Sequence, residues 1–197
     1  MKAVGTAKGV ASVGGGIRLR TGFASNHLVV ATQAARDAYK IEQESKGEPF
    51  GPWFDGMMRH VPVSVVMAGA ALEANANELI FDILDGTAKL TVSASHKKLL
   101  TEWMNERFGN AMDRQRKLAL LLDNDPNTGL ASWQNAALLV DFRNQFMHFK
   151  STIDDGEIHR GKLFEALKRK IPTVTTWSGK PLFPYVFMTY GASKWAV

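Results

Sequence analysis

From about Pro62 to Leu84 the chain carries its longest and most apolar stretch at helical spacing, with Val66, Gly69, Ala70, Ile80 and Leu84 on one stripe. Proline is acceptable in the first turn of a helix and Gly86 stands just past the end, so the spacing predicts one long helix. Such a helix must be covered by other elements, and the rest of the sequence reads as further helices separated by Gly, Pro and Asn/Asp breaks.

Before it, Ser25 or Asn26 can cap a helix through Val29, Val30, Ala34, Ala35 and Ala38 to about Gln43, where Gly47, Pro49, Gly51 and Pro52 end it. After it, leucines and aromatics at helical spacing predict a helix from about Ser95 to Phe108, and a shorter one runs from Asp113 to Leu122. The turn-rich Asp123 to Gly129 follows, and Ser132 can cap a helix reaching about Phe149. Leu163 to Lys170 reads as helical and is stopped by Pro172. Residues 173–190, rich in β-branched and aromatic residues with Pro and Gly breaks, read as an extended or hairpin-like excursion, and Ala192 to Val197 as the first turn of a helix that stops abruptly. Residues 1–24 form a loose segment in which Ile17 to Arg20 alternates like a short edge strand. The expectation is an all-α bundle of about five or six helices, one domain over 25–197, with a flexible or short-stranded lead-in.

With 197 residues and 45% hydrophobic content the chain can bury one sizeable core. It has no cysteine, which excludes disulfides, thiolate zinc sites and cysteine nucleophiles and fits a reducing, cytoplasmic setting. The apolar run from Val61 to Ala71 is broken by Pro62 and Ser64 and is far short of the roughly 20 residues of a bilayer span, so no membrane helix is expected. The net charge of +5 is spread along the chain, leaving two local basic clusters, Arg114-Gln115-Arg116-Lys117 and Lys168-Arg169-Lys170, either of which suits phosphates or simply a solvated helix face. The five histidines show no close helical pairing, so neither a metal nor another cofactor is expected.

Placing residues 132–149 at about 100° per step gives two apolar stripes, Leu138, Phe142, Phe146 and Phe149 on one side and Trp133, Ala137, Val140 and Met147 on the other. Asn144 and His148, four residues apart, sit on the second stripe with Arg143 at its edge. The long helix shows the same feature, Glu73 and Asn77 interrupting its apolar stripe. Glu73 is the natural partner for Arg143 or orienting group for His148. Buried polar groups left unpaired cost on the order of 1–3 kcal/mol each, so these must be paired or lie in a wet cleft. A buried pair tying two helices together, and a histidine favoured by a helix C-terminus, are the plain alternatives to a catalytic role.

The run Arg143-Asn144-Gln145-Phe146-Met147-His148 resembles the signature of HEPN domains (higher eukaryotes and prokaryotes nucleotide-binding), an Arg followed by a polar-led spacer and a His. The preceding Ala71-Leu72-Glu73 helix with Asn77, the Trp133-led helix and the exit through His148-Phe149-Lys150 extend the resemblance over roughly residues 25–170. It implies a helical bundle dimerising through its signature helices and, in many members, a metal-independent endoribonuclease with a defence or toxin-type role and, in some, an inhibitory protein partner. Lys150 stands where the toxin branch has a Tyr.

Under that resemblance His148 is the general acid or base, Arg143 stabilises charge on the phosphorus oxygens and Asn144 orients His148 or the phosphate, with Glu73 and Asn77 in support. Arg114, Arg116, Lys117 and Lys150 are expected to hold RNA. Arg143 and His148 lie about 140° apart around a helix, which suits a site shared by two chains better than one. The competing expectations are a non-catalytic nucleotide-binding or dimerising module of the same fold and a DNA-binding helical protein using Arg114 to Lys117.

Overall fold

The computed structural model describes residues 10–11, 17–18, 21–105, 111–122, 126–148, 161–174 and 183–197. Two short strands, β1 (Val10–Ala11) and β2 (Ile17–Arg18), pair antiparallel with Val10 opposite Arg18, so the expected strand has a partner as short as itself. The rest is helical: α1 (Ala24–Glu44), α2 (Trp53–Asp85), α3 (Ala94–Asn105), α4 (Ala111–Leu121), α5 (Ala131–Met147), α6 (Lys162–Lys168) and α7 (Tyr190–Ala196). The chain is all-α, with seven α-helices among the described residues rather than five or six, because the segment expected as an opening turn, α7, is a short helix of its own.

Helix α1 presents Ala31, Ala34, Ala35 and Ala38 inward at i, i+3, i+4 and i+7, and side chains this small let it pack closely along α2. Its start differs from the expected Ser25 or Asn26 cap. Phe23 is the N-cap residue and no side chain of its own turn caps it. The Glu78 carboxylate on α2 instead accepts from the backbone N–H of Phe23 (2.6 Å) and Ala24 (2.8 Å). Two of the donors that every helix start leaves open are thus satisfied from another element.

Helix α2 begins nine residues before the expected Pro62, at Trp53. Pro52 takes the helix-starting role instead, and Trp53 Nε1 secures the turn by donating to the Pro49 carbonyl at 2.9 Å. Pro62 lies inside the helix, where it removes one i→i−4 hydrogen bond. Phe54, Met57, Val61 and Val65, all buried and spaced for one face, supply the packing that carries the helix through it. Gly86 closes α2 in the left-handed conformation (φ 77°), as its position predicts.

Helix α5 starts at Ala131 from an extended Leu130, so Ser132 is a first-turn residue and not the cap. It is also not packed along two sides. Leu139, Val140 and Phe142 are buried, whereas Met147 is 57% exposed, so the second apolar stripe is covered only in its middle. The helix ends at Met147 with His148 as the C-cap, and Phe149 lies outside the described residues. In the 173–190 region, of which 175–182 lie outside the described residues, Val174 N–H donates to the Val186 carbonyl (2.8 Å), a hairpin-like contact, while Tyr185–Phe187 forms a 3-10 turn in place of an extended strand. Thr189 caps α7, its hydroxyl accepting from Ala192 N–H at 3.1 Å.

The helices enclose two apolar clusters. The larger gathers Met57, Val61, Val65, Leu139, Phe142, Phe164, Leu167 and Phe187 from α1, α2, α5, α6, α7 and the 3-10 turn. The smaller holds Ala76, Ile80 and Ile83 of α2 with Leu100 of α3 and Leu118 of α4. Among the described residues helix α2 is the one element that contributes buried side chains to both, and residues 69–75 lie between those two buried sets. No helix is long and apolar enough to cross a membrane among the described residues.

Candidate functional site

That middle stretch of α2 is where α5 brings its polar residues. Arg143 lays its side chain across Gly69: a β-carbon at Gly69 would lie 2.7 Å from Arg143 Cδ and 3.2 Å from Cγ. A glycine inside a helix costs about 1 kcal/mol relative to alanine, and here the missing β-carbon opens the channel for the arginine stem. One turn further along, Arg143 Nη1 donates to Glu73 Oε2 at 3.0 Å. The Arg143 side chain is 20% exposed and that of Glu73 41%, so the ion pair sits at the edge of the interior. Arg143 Nε is buried with no hydrogen-bond partner among the described residues.

The sequence pairs Glu73 with Arg143 or with His148, and the geometry takes the first. His148 is exposed, and its ring forms no hydrogen bond with Arg143, Asn144 or Glu73. It is not on a buried stripe, because α5 has stopped before it; its backbone N–H donates to the Asn144 carbonyl at 3.0 Å and closes the last turn. Asn144 is half-buried. Within one chain, then, Arg143 turns inward to α2 while His148 faces solvent.

Asn77 does not join this group. Its carboxamide oxygen accepts from Arg114 Nη1, linking α2 to α4, and Gln115 beside it donates to the Leu72 carbonyl and to Asn75 Oδ1, both at 3.4 Å. Lys117 stands 5.3 Å above the centre of the Trp103 ring, a cation–π contact between α4 and α3. Of the expected α4 cations, only Arg116 is exposed. Lys150 lies outside the described residues. By contrast Lys168, Arg169 and Lys170, at the end of α6, are all exposed.

A cavity of about 600 Å³ opens between the start of α1, the middle of α2, the start of α5 and the end of α7, walled by Leu28, Ala68, Leu72, Ala136, Leu139 and Trp195. None of Arg143, Asn144 and His148 lines it. Among the described residues no three His, Asp or Glu side chains gather closely enough to hold a metal ion. The sequence reading missed the fit between Gly69 and Arg143; an unexplained glycine inside a long apolar helix was its signal.

Compared with protein-family models, curated proteins and solved structures, the chain matches none.

Proposed function

We propose that this chain is a metal-independent endoribonuclease that acts as a homodimer, with Arg143, Asn144 and His148 at the end of α5 as its working residues. The observation that supports it is the division of labour at that helix end. Arg143 is fixed by Gly69 and Glu73, with Nη1 alone engaged among the described residues, and guanidinium carries five N–H donors, so it retains donors for a phosphate oxygen. His148 stands in solvent beside the exposed Met147, where a second copy can pack and bring its own α5 alongside. His148 then takes the proton of the ribose 2′-hydroxyl as the 2′-oxygen attacks phosphorus, or gives a proton to the 5′-oxygen that leaves as a hydroxyl when its bond to phosphorus breaks, and Arg143 of the other chain stabilises the charge on the phosphorus oxygens. The product is a cyclic phosphate, made without a metal.

A non-catalytic dimerising or nucleotide-binding module is the second reading, and the Arg143–Glu73 pair favours it, since tying α5 to α2 is a complete structural role. RNA incubated with the protein in chelator separates the two. The nuclease reading expects cleavage that falls about 10²–10⁴-fold in His148→Ala and strongly in Arg143→Ala, with both variants folded by circular dichroism. No cleavage by the wild type, equal cleavage by the variants, or a strictly monomeric protein would leave only the module.

A further inference from the structure

We infer that the basic grip for RNA lies at the end of α6, in Lys168, Arg169 and Lys170, and not on α4. The inference rests on RNA being the ligand of the proposed function. On α4, Arg114 is bound to Asn77 and Lys117 to the Trp103 ring, so two of its three cations already hold helices together. The three α6 cations are exposed, and none of them pairs with an acidic side chain among the described residues. Arg169 and Lys170 also wall a crevice of about 410 Å³ whose other sides are Ala166, Gln134 and Leu138. A crevice with cations at its rim and aliphatic groups inside suits a single strand: the phosphates meet charge, and an unstacked base packs on Leu138 and Ala166. In a duplex that base is not available.

The crevice lies toward the other end of α5 from His148, its Leu138 wall about 80° from His148 in projection. Gln134 and His148 are 14 residues apart in the sequence, which is about 21 Å along a helix and about 40° apart in projection. A stacked strand rising about 3.4 Å per nucleotide covers that distance with about six nucleotides. Asp141, exposed and about 20° from His148 in projection, lies between them and repels a backbone laid over the middle of α5. The strand is therefore gripped at the α6 end, away from the reacting bond.

Binding of a labelled oligouridylate about twice that length, followed by anisotropy over a salt series in the His148→Ala background, tests this without cleavage. Replacing Lys168, Arg169 and Lys170 together with Gln should weaken binding by at least tenfold at low salt and flatten the log–log salt slope by about two, near 0.7 per lost phosphate contact. Asp141→Asn should tighten binding about twofold. Arg116→Gln should leave the slope unchanged, because a lost phosphate contact there would flatten it by about 0.7. An unchanged slope in the triple variant, or polyglutamate binding to the patch more tightly than the RNA, overturns the inference. A wild type that does not cleave RNA while the triple variant loses RNA binding overturns the proposed function and leaves this inference standing.

Discussion

The two ends of α2 solve the same problem by different means. Its first half enters a core rich in large rings, where Phe142 contacts Phe146 (5.0 Å between centroids) and Phe187 (5.8 Å), and Phe164 contacts Phe187 (5.6 Å). Among the described residues, its second half meets only Leu100 and Leu118 as buried partners from α3 and α4 in that cluster. That smaller cluster is ringed by polar ties, Arg114 to Asn77, Gln115 to Leu72 and Lys117 to Trp103. Burial stabilises in proportion to apolar area, while each exposed or half-exposed polar tie adds about 1 kcal/mol or less. The α3–α4 end should therefore be the part that opens first, with Arg143 and Glu73 standing at the border.

Phe142→Ala attacks the stronger end. Its side chain is fully buried and the substitution should lower stability by about 3–5 kcal/mol, seen as a large fall in melting temperature of the whole chain. Leu100→Ala, at the weaker end, should cost about 2–3 kcal/mol, because a small cluster collapses more easily around the gap. Its hydrogen exchange is the sharper reading: faster exchange confined to α3, α4 and the last turns of α2 supports two cores, and an even increase along the chain means there is only one.

At the border, Gly69→Ala places a methyl 2.7 Å from Arg143 Cδ, so the arginine must leave its channel. The expected loss is about 1–3 kcal/mol, together with loss of any Arg143-dependent cleavage, measured by melting and by the chelator assay. Glu78→Ala removes the cap of α1 and should cost about 1 kcal/mol in a denaturant titration. Glu73→Gln should cost less than 1 kcal/mol, since its partner pair is partly in water. A larger effect would mean that Arg143 depends on Glu73 for more than an ion pair.

Periodicity was enough to place the α1, α3, α4 and α5 segments, because their apolar residues recur at helical spacing. It failed at the start of α2, where the rule that puts proline in a first turn pointed to Pro62, while Phe54, Met57 and Val61 had the spacing to extend the helix upstream. The Glu73–Arg143 pair was legible as one of two options, since both residues interrupt apolar stripes; which option holds depends on the crossing of α2 and α5, and no single-helix projection contains that. The fate of Arg114 and Lys117 was hidden for the same reason. A charge run looks identical in sequence whether its members face solvent, as Lys168 to Lys170 do, or reach across to another helix.

Helix α1 shows how far such information can be displaced. Nothing in its own first turn marks where it begins; the mark is a carboxylate 54 residues downstream of Ala24, on Glu78, in a space that Gly22 keeps open by having no side chain. The boundary of α1 is thus inherited with α2. A chimera that exchanges α2 for another helix, or a recombination event between residues 44 and 53, would carry α1 intact and still lose its starting point unless the incoming helix brought an acceptor to the same place.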